Sequence, residues 1–300
     1  PGALLAVSVH RRGLRLGFHV GVSRGYAETV AYAKRVGCTA LQFFSGNPKT
    51  YRVAPIDTPA LERFIELRRE NDLSPAVIHT SYLINLASED ANAAKNSLCL
   101  LENDLAFAAA GNVAYVNTHL GSYGTGDRTA GFKRVCKALE KVLGGIKPGV
   151  TLVLENSAGA GQLCGGTLEE LGEFVRMLGH PQLGVCLDTA HSWAAGYAID
   201  TKDGVDQFLA QADSEIGMDR IPMFHFNDTQ IPLGGHRDRH WHIGEGNIGF
   251  EGFRALLMHP EVREKTAILE TPGEEADDAR NMQTIQAIIK GAEKATASPP

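Results

Sequence analysis

Gly184-Val185-Cys186-Leu187-Asp188-Thr189-Ala190-His191 starts as one kind of structure and ends as another. Gly184 to Leu187 is apolar without the alternation of a half-exposed strand, so it reads as a strand buried on both faces. The run closes on a carboxylate, and an imidazole follows three residues later. Similar runs recur along the chain, and strands are predicted at Leu14–His19, Ala40–Phe44, Ala76–His79, Ala114–His119, Thr151–Glu155, Gly184–Asp188, Met223–Phe226 and Ala267–Glu270. Helical patterns separate them. Thr58 supplies an N-cap with Pro59 at the first helical position, and Thr167-x-x-Glu170 reads as a capping box ahead of Leu171, Phe174, Val175 and Leu178. Leu98, Leu101, Leu105 and Ala108 recur at helical spacing. Eight strands alternating with helices, with no composition break or internal repeat, favour a single-domain α/β fold, a (β/α)8 TIM barrel, over an open doubly wound sheet. The barrel is assigned to residues 14–293, with 1–13 an N-terminal extension and 294–300 a C-terminal tail.

What ends each strand is more informative than the strands themselves. The third closes in Val77-Ile78-His79, the fourth in Val116-Asn117-Thr118-His119, the fifth in Val153-Leu154-Glu155 and the sixth in Cys186-Leu187-Asp188. The seventh contains Phe224-His225-Phe226 and the eighth closes in Ile268-Leu269-Glu270. The separations are 40, 36, 33, 37 and 45 residues, about one βα unit each. In a barrel all strand C-termini reach one rim, so these six side chains converge where barrel active sites sit. His191, Asp238 and His240 hang from the loops just beyond, and an extended Asp238-Arg239-His240 aims its two outer side chains the same way.

Each residue alone has an ordinary explanation: a hydrogen-bonded core histidine, a helix N-cap at Asp188 or Glu155, or an Asp238 paired with Arg237 or Arg239. Together, four carboxylates and five imidazoles at one rim repel and lose hydration unless a cation binds them. Imidazole and carboxylate without thiolate suit Zn, Mn or Fe. At about three protein ligands per ion, with one carboxylate bridging, nine ligands serve three ions. Adjacent divalent ions about 3.5–4 Å apart are the usual device for phosphoester hydrolysis. Of the remaining histidines, His10, His180 and His259 carry no signal, and His19 faces the rim or the core in a supporting role. Spacing alone leaves His236 and His242 open as ligands.

The composition sets limits. A hydrophobic fraction of 43% and a charged fraction of 21% exclude disorder as the main state. Five cysteines without a C-x-x-C fit reduced thiols in a cytoplasmic protein, and Cys186 reads as inert packing. No apolar run is long enough for a membrane span, so no membrane partner is expected. Gly121-Ser122-Tyr123-Gly124-Thr125-Gly126 and Gly159-Ala160-Gly161 lack the ending of a P-loop and read as flexible rim loops. The net charge of −6 argues against a phosphate backbone as partner.

Against that last point stands a resemblance. His79-Thr80-Ser81-Tyr82-Leu83-Ile84-Asn85-Leu86, Leu154-Glu155-Asn156-Ser157-Ala158-Gly159, Gly184 to His191, and the stretch from His225-Phe226-Asn227-Asp228 through Asp238-Arg239-His240 to Ile243-Gly244-Glu245-Gly246 resemble the endonuclease IV family of apurinic/apyrimidinic (AP) endonucleases. The likeness runs from about Leu14 to Glu293. It implies a DNA-repair hydrolase that cuts duplex DNA 5′ to an abasic site, leaving a 3′-hydroxyl, with related trimming of blocked 3′ ends. It implies three Zn2+ per chain, with Mn2+ or Fe2+ as substitutes: one on His79, His119 and Glu155, a second on Glu155, Asp188, His225 and Glu270, a third on His191, Asp238 and His240. Asp238 and His240, rather than His236 or His242, thereby become ligands. Glu155 and Glu270 take the catalytic role, around a hydroxide bridging the zincs held by Glu155. Lys49, Tyr82 and Leu83 match the residues the family wedges into DNA, and a monomer is expected.

The sequence departs from the family pattern at Lys49, where Arg is frequent, at Thr229-Gln230 for Ser-Lys, and at Gly234-Gly235 for Gly-Ser. None is a ligand position, so these departures bear on DNA affinity. Two rivals stand beside this reading: a divalent-metal sugar isomerase or epimerase on the same barrel, and a non-catalytic binder of damaged DNA.

Overall fold

The structure is a computed structural model that describes residues 13–53 and 55–296, with side chains up to 291. Of the expected N-terminal extension, residues 1–12 lie outside the described residues. Eight strands are present: β1 (Arg15–Phe18), β2 (Leu41–Phe43), β3 (Ala76–His79), β4 (Tyr115–Thr118), β5 (Thr151–Glu155), β6 (Leu183–Asp188), β7 (Met223–His225) and β8 (Thr266–Leu269). All neighbours are parallel, in the order β1-β8-β7-β6-β5-β4-β3-β2. The ends of that order meet. His19 and Gln42 form a parallel bridge, and the Val20 N–H donates to the Gln42 carbonyl at 2.7 Å. Closure depends on Gly17, where a Cβ would stand 2.3 Å from the Ala40 carbonyl oxygen. The fold is the (β/α)8 barrel expected from the strand count.

Nine α-helices lie among the described residues: α1 (Tyr26–Arg35), α2 (Thr58–Glu70), α3 (Ala91–Ala110), α4 (Arg128–Leu143), α5 (Leu168–Leu178), α6 (Thr189–Ala195), α7 (Lys202–Glu215), α8 (Gly249–Met258) and α9 (Glu275–Thr296). The last extends into the stretch expected to be a tail. At α2 the cap sits one residue earlier than expected, because the Asp57 carboxylate accepts from Ala60 N–H and Thr58 is already helical. At α5 the Thr167 hydroxyl caps Glu170 N–H as expected. The other half of the box is spent elsewhere: Glu170 accepts from Gly165 N–H at 2.8 Å and from the Tyr123 hydroxyl at 2.6 Å. Tyr123, 2% exposed, thus pins the glycine-rich loop that the sequence suggested was flexible.

Inside the barrel, Ala40, Val77, Val153, Cys186, Met223 and Ile268 form an apolar plug separate from the larger core between sheet and helices. Strand side chains repeat every two residues. Two residues further along each chain segment stand Gln42, His79, Glu155, Asp188, His225 and Glu270. The barrel interior therefore changes from hydrocarbon to ionisable groups within one layer of side chains, at the rim where the strands end.

Candidate metal centre

The nine sequence-predicted residues converge. Glu155, wholly buried at the end of β5, lies at the middle of the cluster. Its Oε2 is 3.4 Å from both His79 Nε2 and His119 Nε2, while its Oε1 is 3.1 Å from His225 Nδ1 and 3.4 Å from His191 Nδ1. His225 Nδ1 also lies 3.3 Å from Glu270 Oε2 and 3.8 Å from Asp188 Oδ2. Asp238 Oδ1 stands 3.2 Å from His191 Nε2 and 3.3 Å from His240 Nε2, so the extended Asp238-Arg239-His240 does aim both side chains one way.

Three sets of ligand atoms come close enough together to hold an ion each: His79, His119 and Glu155; Glu155, Asp188, His225 and Glu270; and Asp188, His191 and His240, with Asp238 against the last two. His236 and His242 point elsewhere, His236 toward the Ala158 carbonyl and His242 toward Asn281. Asp188 serves twice, since its Oδ1 also accepts from His191 N–H as the N-cap of α6.

The electrostatics fit a cation. Burial opposes charge on Glu155 and Glu270, yet the surrounding imidazoles outweigh it and hold both carboxyls well below their ordinary range. Asp238, opposed by burial in the same way but hydrogen-bonded to His191, is pushed down to about 2. His191 is raised well above 6.5 and His79 is raised, in each case against the effect of burial, by the carboxylates they face, and His225 is raised well above 6.5 against burial by the neighbouring Cys186 thiol and by Glu270 and Glu155. His119 and His19 are lowered by burial. These directions favour retention of protons on His79, His191 and His225 beside the carboxylates. His240 Nε2 is buried, has no hydrogen-bond partner, and is directed at the same carboxylates. An electron pair so placed suits a metal ligand.

A set of amides escaped the sequence reading. Asn117 Nδ2 donates to Glu155 Oε2 at 2.5 Å, and Asn227 Nδ2 donates to Asp188 Oδ2 at 2.7 Å. Asn156 Oδ1 accepts from Asp188 N–H at 2.6 Å, and Gln42 reaches His225, Glu270 and His19. The available signal was the two-residue strand period: Asn117 precedes His119 by two, and Asn227 follows His225 by two.

Asp228 shapes the loop that carries Asp238 and His240. Its wholly buried carboxylate accepts five backbone N–H groups, from Thr229, Gly244, Gly246, Ile248 and Gly249, at 2.8–3.2 Å. Gly246 is required there, because a Cβ would stand 2.3 Å from Asp228 Oδ1. Thr229, one of the departures from the family pattern, is buried, and its hydroxyl donates to the Arg239 carbonyl at 2.7 Å, between the two side chains. Asp228→Ala strands five donors, each costing about 1–3 kcal/mol when left buried and unpaired. Urea denaturation should show at least about 3 kcal/mol of lost stability; a wild-type midpoint would show that water satisfies the loop instead.

The rim opens into a cavity of about 480 Å3 lined by His79, His119, His191, Asp238, Arg239, His240 and Glu270, with Tyr82 at its edge. Tyr82 is 64% exposed, Leu83 is half-buried and Lys49 is exposed. Their two loops are tied together, the Ser81 hydroxyl donating to the Pro48 carbonyl at 2.7 Å. Among the described residues the five cysteines are free, Cys186 within the apolar plug, and no helix is long and apolar enough to cross a membrane.

A closed parallel barrel with a cluster of potential metal-ligating imidazoles and carboxylates at its C-terminal rim belongs to the metal-dependent barrels. A family model described as the xylose isomerase-like TIM barrel matches residues 30–292. The chain is 40% identical over 278 residues to the "Probable endonuclease 4" of Natranaerobius thermophilus, covering 92% of this chain and 98% of that one. It superposes on the crystal structure of endonuclease IV from Thermus thermophilus with a TM-score of 0.82 at 34% identity, covering 92% and 99% of the two chains. A D-tagatose 3-epimerase-like protein matches with a TM-score of 0.73 at 18% identity over 94% of this chain and 100% of the other, which speaks for the shared barrel alone. The chain belongs to the endonuclease IV family.

Proposed function

We propose that this protein is a zinc-dependent AP endonuclease, a phosphoric diester hydrolase that cuts duplex DNA on the 5′ side of an abasic site and leaves a 3′-hydroxyl. The observation that carries the reading is the convergence of eight imidazoles and carboxylates into three ion-sized sets on one rim, with Asp238 against the third, in a chain 40% identical to a probable endonuclease 4. An epimerase has no evident use for the third set, which includes His191 and His240 beside Asp238.

His79, His119 and Glu155 would hold one Zn2+, and Glu155, Asp188, His225 and Glu270 a second. His191, Asp238 and His240 would hold a third, with Asp188 beside it. Mn2+ or Fe2+ fit the same donors. Bound divalent ions acidify water and neutralise charge on a phosphate. The chain's own part is geometric. Glu155 couples two of the sets through its two oxygens, and Glu270 lies against His225 on the opposite wall. Water adds to phosphorus in line as the P–O3′ bond breaks, and the 3′-oxygen leaves as a hydroxyl. Trimming of blocked 3′ ends would use the same site.

Selection for abasic sites follows from stacking. A nucleotide without a base is turned out of the duplex at lower cost than an intact one. Beside His119, His191 and Asp238 a further cavity of about 280 Å3, walled by Ile84, Leu120, Ala158 and Leu163, suits an extruded sugar. Exposed Tyr82, with Leu83 behind it, and exposed Lys49 would enter the gap left in the stack. The protein acts as a monomer in the cytoplasm. Three divalent ions would offset the formal charge of −6, so metal-loaded protein should bind DNA far more tightly than metal-free protein at matched salt.

The deciding experiment is incubation of metal-assayed protein with a duplex bearing one abasic-site analogue. Cleavage on its 5′ side that disappears in His119→Ala and Glu270→Gln supports the reading. An intact duplex at about three metals per chain overturns it, and turnover of a ketose would favour the isomerase.

A further inference from the structure

We propose that Gln42 is a positioning residue of this centre, one that fixes how His225 and Glu270 present their ligand atoms to a shared ion. The inference rests on the metal reading above. Gln42 lies on β2, a strand that contributes no ionisable group to the rim, and it is wholly buried. Its Oε1 is 2.9 Å from His225 Nε2 and its Nε2 is 2.7 Å from Glu270 Oε1. The opposite orientation of the amide would set a carbonyl oxygen against a carboxylate, so the assignment is fixed by charge.

Two consequences follow. A carbonyl facing His225 Nε2 accepts a hydrogen bond from its N–H, so the proton stays on Nε2 and the lone pair is left on Nδ1. That atom faces Glu155 Oε1 at 3.1 Å and Glu270 Oε2 at 3.3 Å. Meanwhile the amide N–H engages Glu270 Oε1, leaving Oε2 as the oxygen turned toward the same point. The second amide hydrogen reaches His19 Nδ1 at 3.0 Å, closer than the 3.3 Å from that nitrogen to Glu270, so His19 braces the amide from behind. One uncharged side chain thereby orients two ligands of one ion without adding charge. Hydrogen-bond partners of metal ligands commonly alter metal affinity or activity 10–100-fold when removed.

The test compares the full-length wild type with Gln42→Leu and Gln42→Met, which keep the volume and lose the hydrogen bonds. Zinc content and affinity are measured against a competing chelator, and melting is measured on metal-free protein. One of the three zincs should weaken about 10–100-fold in both variants while the other two hold, and kcat should fall with KM little changed. Metal-free melting should stay near wild type. In zinc-loaded wild type, a slowly exchanging imidazole N–H resonance should be assignable to His225 Nε2 and should broaden away in the variants. Unchanged affinity for all three ions, or absence of that resonance from the wild type, overturns the proposal. A collapse of metal-free melting with intact zinc affinity in the folded fraction would make Gln42 a structural residue and also overturn it. A wild type that takes up no zinc defeats the metal reading and this inference with it.

Discussion

Glu155→Gln is expected to lower the rate of DNA cleavage by at least about a thousand-fold, a loss of about 4 kcal/mol of transition-state stabilisation. Among the described residues no other carboxylate lies this close to as many imidazoles. Its two oxygens approach four imidazoles, on β3, just beyond β4, at the start of α6 and on β7, and it belongs to two of the three ligand sets. The amide is nearly isosteric, so packing survives, but it carries no charge and turns an N–H toward nitrogens that need an electron pair. Metal content should fall by more than one ion per chain, because the bridge between two sets is lost. His119→Ala, by contrast, removes a half-exposed ligand from one set only and should cost one ion at most. Both variants should lose cleavage, so metal assay is what separates the two. Full metal content with near-wild-type cleavage in Glu155→Gln would remove Glu155 from the centre of the mechanism.

The sequence revealed the ligands better than the residues that aim them, and the reason is chemical. A histidine or carboxylate closing an apolar run conflicts with burial, so His79, Glu155, Asp188, His225 and Glu270 stood out. Asn117, Asn227 and Gln42 are neutral, and an amide near a strand end has many uses. Only closure of the barrel turns Gln42 toward His225, across 183 positions of chain. Strand ends were read to within a residue or so because the apolar runs are short and sharply bounded. Thr58 and Asp57 both cap helices well, so local preference could not decide between them. Tyr123 illustrates a further limit. A glycine-rich segment looks loose until one aromatic residue within it is found buried on Glu170.

Removing the metal should reverse the pH dependence of stability above about pH 6.5. In the metal-free protein, folding raises His191 and His225 well above 6.5 and raises His79 as well. A group with a raised folded pKa contributes its full stabilisation below the unfolded value and loses it as pH rises toward the folded one. Each proton so retained gives a slope of about 1.4 kcal/mol per pH unit. His19 and His119, lowered by burial, act oppositely, and their contribution rises with pH until about 6.5. Glu155, Glu270 and Asp238, all held low, add stability that is present above the ordinary carboxylate range and lost in acid as pH falls through their folded values. The metal-free protein should therefore be most stable near pH 6.5 and weaken on the alkaline side. Metal replaces those protons. Its ligands must be deprotonated imidazoles, so affinity increases with pH, and the stabilisation it confers grows as RT ln(1 + [metal]/Kd). Melting curves from about pH 6 to pH 8.5, with zinc and with chelator, should diverge steadily, the loaded protein holding its melting temperature as the stripped one falls. Parallel curves would mean that these imidazoles do not exchange their protons for a metal ion.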